Sequence, residues 1–225
     1  MIPLRDTIPS RRWPVITWLI IITNLVVFLY QQTLAPLTYK LLIEEFGLIP
    51  LKLFQGGTSG LPELIPFISH FFLHAGWMHL IGNMWALWLF GDNVEDLMGP
   101  FWFLLFYACM GVLAGLVHLL SDSTSQLPTI GASGAIAGVM GAYFILFPSS
   151  KIVTLIPVFF IPFFVKIPAI IYLAFWLLSQ IYSVLANHQL GTVSNIAWSA
   201  HIGGFIAGMF LHRFFCRVKW KRYRF

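Results

Sequence analysis

Ser133 and His201 are two residues of this chain whose types could together do covalent chemistry. A serine hydroxyl is a poor nucleophile until a base takes its proton, and an imidazole commonly serves as that base. Ser133 stands in Gly131-Ala132-Ser133-Gly134-Ala135-Ile136-Ala137-Gly138, where Gly131, Gly134, Gly138 and Gly141 recur at small-residue spacing. Alone, that pattern signals close helix packing far more often than catalysis. His201 shares a helical face with Gly204 and Gly208, three and seven positions on. Alone, it would be a polar residue holding helices together. Two glycine-lined helices packed on each other would bring the hydroxyl to the imidazole, and that pairing changes the reading of both. His79 and Asn83, four apart, occupy one helical face and both donate hydrogen bonds. An oxyanion needs such donors, each contributing about 3 kcal/mol, although the two could equally bond each other or a neighbouring helix. The spacing His70-x3-His74-x4-His79 also admits a metal site. There is no HExxH, and the acidic residues lie elsewhere, so zinc hydrolysis is the weaker alternative.

The elements that must carry these residues follow from composition. Charged residues are 9% of the 225, against about 25% in soluble domains. Hydrophobic residues reach 59%, with 22 Phe and 9 Trp, and the mean hydropathy is +0.84. So few charges cannot cover a water-soluble surface of this size, which makes this a membrane protein. The expected architecture is an all-α membrane domain covering 1–225, since a helix satisfies its own backbone in lipid.

A hydrocarbon core about 30 Å thick needs roughly 20 helical residues. The charge-free runs long enough are Trp13–Tyr39, Leu64–Gly91, Leu97–Ser121, Ser123–Ser150 and Ile167–His212. The last is long enough for two crossings and is interrupted by the polar, turn-forming stretch from His188 to Asn195. Six spans are therefore predicted. Ile152–Val165, with Pro157 and Pro162, is too short to cross and reads as a membrane-surface connection. The first apolar run is too long for a signal peptide and lacks an obvious small-x-small cleavage site, so it reads as an uncleaved helix. Cys109 and Cys216 fall at different depths, which argues against a disulfide between them.

Six spans put both termini on one side. Of the 13 Lys and Arg, all but Lys40 and Lys52 fall in the tails (about 1–12 and 213–225) or at Lys151 and Lys166. The positive-inside rule makes that side cytoplasmic. The basic balance is thus a topology signal rather than a nucleic-acid footprint. The exterior connection, about 35–69, mixes Leu, Ile and Phe with Lys40, Glu44, Glu45 and Lys52, a composition suited to lying on the bilayer.

Polar residues inside spans are costly, so their depth is informative. In this topology spans two, four and six start at the outer leaflet. His70, His74, His79 and Asn83 then fall early in span two, Ser133 near the start of span four, and His201 near the start of span six. Three distant segments deliver these groups to one depth near the exterior face. A transporter would instead place its polar site at mid-depth on broken helices.

The segments His70-Phe71-Phe72-Leu73-His74-Ala75-Gly76-Trp77-Met78-His79-Leu80-Ile81-Gly82-Asn83-Met84, Phe90-Gly91-Asp92-Asn93-Val94-Glu95-Asp96, Gly131-Ala132-Ser133-Gly134 and Ala200-His201-Ile202-Gly203-Gly204 occur in that order. Together they resemble the rhomboid family of intramembrane serine proteases, and the resemblance runs from about Phe46 to Leu211. It implies a prokaryotic six-helix bundle in the cell membrane, its active site toward the exterior, that cleaves transmembrane-anchored proteins without metal or cofactor. Ser133 would be nucleophile and His201 general base and then acid. His79, Asn83 and the Ser133 N–H would bind the oxyanion. His74, Glu95, Gly131, Gly134, Gly204 and Gly208 match structural positions of the family. The chain departs from some members at Ile65-Pro66, where those have Trp-Arg, and at Ala137, where those place an aromatic ring against the histidine. A wet cavity beneath the 35–69 connection is expected, because hydrolysis needs water. The competing class is a non-catalytic rhomboid-like protein that binds transmembrane helices.

Overall fold

The computed structural model describes residues 1–54, 64–159, 161–190 and 196–217. In chain order the elements are β1 (Ile2–Asp6), α1 (Val15–Thr33), α2 (Pro36–Phe46), α3 (Pro50–Phe54), α4 (Pro66–Ser69), a 3-10 turn (His70–Phe72), α5 (Trp77–Met98), α6 (Pro100–Ser121), α7 (Ser133–Leu146), β2 (Lys151–Val158), β3 (Ile161–Pro168), α8 (Ala169–Leu190) and α9 (Trp198–Phe215). The molecule is mostly helical. Among the described residues three helices, α1, α6 and α8, are both long and apolar enough to cross a bilayer. Their outward faces carry exposed Leu19, Val26, Leu105, Phe175 and Leu178, as a lipid-facing surface requires.

The all-helical expectation needs correction, because β1, β2 and β3 form an antiparallel sheet in that order. Ile2 pairs with Leu155 and Asp6 with Ile152, while Lys151 pairs with Pro168 and Val158 with Ile161. The run read as a surface connection is therefore a hairpin. Its β-branched and aromatic residues favour strands. Pro157 and Pro162 face each other, beyond the residues of β2 that β1 pairs with, so neither breaks a three-stranded ladder.

Span boundaries move for physical reasons. The expected second span, Leu64–Gly91, contains only short turns before Trp77, and its helix then runs past Gly91 to Met98. Asp92, Asn93, Glu95 and Asp96, read as a boundary, lie within the last turns of α5. The break comes at Gly99, whose φ of +80° suits glycine, followed by Pro100 at the start of α6. The expected fourth span, Ser123–Ser150, is helical only from Ser133 to Leu146. Fourteen residues make a helix about 21 Å long. All but three of them are buried, so α7 is a central helix enclosed by others. The long run Ile167–His212 divides into α8 and α9, and residues 191–195 of its polar break lie outside the described residues.

Carboxylates tie the N-terminal segment to the end of α5. Glu95, 3% exposed, accepts bonds from the Ile16 and Thr17 N–H groups and from Thr17 Oγ1, at 2.8–2.9 Å. A carboxylate there satisfies unpaired donors and meets the positive end of the α1 dipole. Asp96 accepts from the Arg11 and Arg12 N–H groups. At the other end of the chain, Arg217 N–H donates to Leu97 O and its guanidinium stacks 3.8 Å over Trp102. Both ends of the described chain thus pack at the α5–α6 turn.

Candidate active site

The most extensive helix pairing is α7 on α9, and glycine permits it. A Cβ on Gly204 would lie 2.2 Å from Gly134 O, and one on Gly208 would lie 1.9 Å from Gly138 O. The backbones touch directly. On α7, Gly134 and Gly138 turn instead toward α6, against Ala114 and Met110, while Gly141 meets the Phe205 carbonyl of α9. The glycines thus seat α7 on two neighbours at once.

This contact sets Ser133, the first residue of α7, opposite His201, in the first turn of α9. Ser133 Oγ lies 2.7 Å from His201 Nε2. Ser133 is half-buried, while His201 is 9% exposed. The N–H groups of the first turn of α7 have no partner within the helix, and the helix dipole adds positive potential there.

The loop that feeds Ser133 is held from two sides. Gly131 N–H donates to His70 O, and Thr129 and Leu48 exchange two backbone bonds. Gly131 has φ +118°, a conformation that favours glycine. A Cβ at Gly131 would stand 2.6 Å from His79 Nε2 and 3.4 Å from Asn83 Nδ2. His79 and Asn83 of α5 therefore flank the backbone that leads into Ser133. Asn83 Nδ2 is buried and has no hydrogen-bond partner among the described residues. His79 Nδ1 accepts weakly from Ala75 N–H at 3.4 Å.

The other histidines separate. His74 is fully buried, its ring 5.1 Å from that of His79, and its backbone exchanges two bonds with the Gln31 amide of α1. His70 lies in the 3-10 turn, its ring bonded to Pro66 O at 2.5 Å and packed on Gly115. Among the described residues no group of three His, Cys, Asp or Glu is placed to hold a metal.

Sequence reasoning missed three partners of His201. Gln180 of α8 places Oε1 2.8 Å from His201 Nδ1, the Trp176 ring lies 5.9 Å from the imidazole at 33°, and the Trp198 ring meets it edge-on at 5.9 Å. Ala137 provides no ring, and these tryptophans occupy the imidazole's surroundings from α8 and α9 instead. A buried amide inside an apolar span, with Trp176 four residues before it, was a signal available from the sequence. A cavity of about 590 Å³ lies between the 35–69 connection, which lines it with Lys40, Glu44, Leu51 and Lys52 among others, and the loop at Gln126 and Pro128; its lining does not include Ser133, so it is not the expected wet cavity at the dyad.

Multi-pass apolar helices, a serine and histidine joined across a glycine contact and an α5 of this composition define one class of integral membrane protein. Residues 61–218 match the Rhomboid domain family, and the chain belongs to that family. It is 30% identical over 198 residues to Rhomboid protease GluP of Bacillus subtilis, covering 88% of this chain and 34% of that protein. It is 32% identical over 169 residues to RHOMBOID-like protein 5 of Arabidopsis thaliana, covering 75% and 48%. Rhomboid protein 1, mitochondrial, of Saccharomyces cerevisiae is 36% identical over 92 residues, covering 39% and 27%. The chain spans between about a quarter and a half of the length of these curated relatives.

Proposed function

We propose that this protein is an intramembrane serine endopeptidase that cleaves membrane-anchored proteins in or near their transmembrane segments. The observation that carries the proposal is the 2.7 Å contact between Ser133 Oγ and His201 Nε2. His201 Nε2 takes the hydroxyl proton as Oγ attacks the scissile carbonyl carbon, and the carbonyl electron pair moves to oxygen. His79, Asn83 and the Ser133 N–H receive that oxyanion. Collapse of the intermediate expels the amine, which leaves with the proton from the imidazolium. A water then repeats the sequence on the acyl-enzyme, with His201 again as base, and frees Ser133. No metal or cofactor enters this chemistry.

The whole of 1–225 acts as one domain with six crossings and both termini cytoplasmic. The basic tails support this, as does the packing of the segments around Arg11 and Arg217 at the α5–α6 turn. Because Ser133 begins a short central helix, this topology opens the dyad toward the exterior. The bilayer is a prokaryotic plasma membrane, a reading favoured by the Bacillus relative that matches 88% of the chain.

Labelling of the purified protein by a serine-directed fluorophosphonate tests the proposal. The label is expected on wild type, to be lost in Ser133→Ala and His201→Ala, and to be indifferent to chelators. Label that persists in Ser133→Ala identifies another nucleophile. Absence of label and of cleavage, with transmembrane segments still bound, identifies the non-catalytic helix binder instead.

A further inference from the structure

His201 can act on Ser133 only in one of its two neutral tautomers. Nε2 must be bare to accept the hydroxyl proton, so the ring proton must sit on Nδ1. The group that faces Nδ1 therefore decides whether the resting dyad is competent. That group is Gln180 Oε1, at 2.8 Å. Its orientation is set, because Gln180 Nε2 donates to Ser179 Oγ at 2.8 Å and to Trp176 O at 3.2 Å. With the amide nitrogen turned that way, only the carbonyl oxygen, an acceptor without a proton, is presented to His201. Gln180 is 5% exposed and is one of only three buried residues of α8, with Ala169 and Leu173. It is placed where an aspartate would stand in a three-residue relay, but it carries no charge, which suits an apolar interior.

We propose that Gln180 is the positioning residue of this active site: it locks His201 in the Nδ1–H tautomer and fixes the imidazole plane toward Ser133. The inference rests on the Ser133–His201 reading. It adds that α8 is part of the catalytic apparatus and not only a wall. Gln180 is buried and meets the dyad through His201, so its removal is expected to leave binding intact and slow the chemical step.

The test compares wild type, Gln180→Met and Gln180→Glu as full-length protein in lipid. Fluorophosphonate labelling rates and kcat and KM on a single-span substrate are measured, with ¹⁵N spectra of histidine-labelled protein. Methionine keeps the length and removes the acceptor. It is expected to lower kcat and the labelling rate roughly 10- to 100-fold, the size usual for loss of a histidine's outer hydrogen-bond partner, with KM within about twofold. Glutamate retains an acceptor and is expected to recover most of the rate. The His201 spectrum should show the Nδ1–H tautomer in wild type and a mixture of tautomers in Gln180→Met. A Gln180→Met protein with wild-type kcat, or an unchanged tautomer in its spectrum, overturns the proposal. So does failure of glutamate to recover the rate in protein that melts like wild type. Failure of the dyad itself is distinguishable, because wild-type labelling would then survive in Ser133→Ala.

Discussion

An amide hydrogen buried in an apolar bundle costs free energy unless something accepts it. Asn83 Nδ2 is buried without a partner among the described residues, beside the glycine that precedes Ala132 and Ser133. An oxyanion formed at Ser133 would supply the missing acceptor only while the intermediate exists, which is how a donor lowers a barrier rather than merely binding substrate. Asn83→Ala is accordingly expected to reduce kcat about 100-fold, or about 3 kcal/mol, with little change in KM. Steady-state cleavage of a single-span substrate measures both, and a change confined to KM would mean that Asn83 only binds. The four-residue spacing of His79 and Asn83 put both on one helical face. Their position against Gly131 was not readable from it, because it depends on a left-handed glycine in a loop that the apolar run Ser123–Ser150 disguised as helix.

Between helices in lipid, burial of apolar surface drives little association, so packing quality decides. The α7–α9 contact is backbone on backbone. Gly208→Ala would place a Cβ 1.9 Å from Gly138 O, whereas ordinary contact begins near 3.4 Å. The helices must separate, at a cost on the order of 1–3 kcal/mol, and the 2.7 Å bond between Ser133 and His201 must lengthen with them. A lower melting temperature and a labelling rate reduced by more than tenfold are expected, read by thermal melts and fluorophosphonate kinetics. Gly82→Ala is the control, since a Cβ there meets nothing within 4 Å, and both readouts should stay at wild-type values. The glycine spacing in both segments announced close packing. It did not say that Gly134 and Gly138 face α6 while Gly204 and Gly208 face α7.

At the scale of the molecule, the sheet joins the start of the chain to the segment between α7 and α8. Asp6, at the end of β1, accepts a bond from the Tyr143 hydroxyl of α7 and one from the Asn93 amide of α5, with the Asp92 carboxyl near by. Burial lifts the Asp6 carboxyl from its ordinary 3.8 to about 6, against the opposing pull of the Tyr143 bond. The folded state therefore keeps a proton that the unfolded chain has already released between about pH 4 and pH 6. Stability from this group is present below that window and declines as pH rises through it. Thermal melts from pH 4 to 6 should show that decline, and Asp6→Asn should make it shallower. A wild-type profile that rises with pH in that window while Asp6→Asn is unchanged would contradict the assignment.

What the amino-acid order decided by itself was the solvent, the residue types on offer for chemistry and the helical faces they share. Apolar runs, scarce charges and glycine spacings are local quantities, and transfer energies and helical periodicity convert them directly into spans and faces. The tertiary structure alone decided where α5 stops, why the segment before Ser133 is loop rather than helix, that three strands bind the N-terminus to the hairpin, and which residue faces His201 Nδ1. Each of these depends on a partner far away in the chain. Charges at the end of α5 remain helical because they satisfy the donors of α1. Gln180 is buried because His201 and its own helix take up its amide. A pattern of residue types cannot show which distant groups will satisfy one another, since that pairing exists only once the helices have packed.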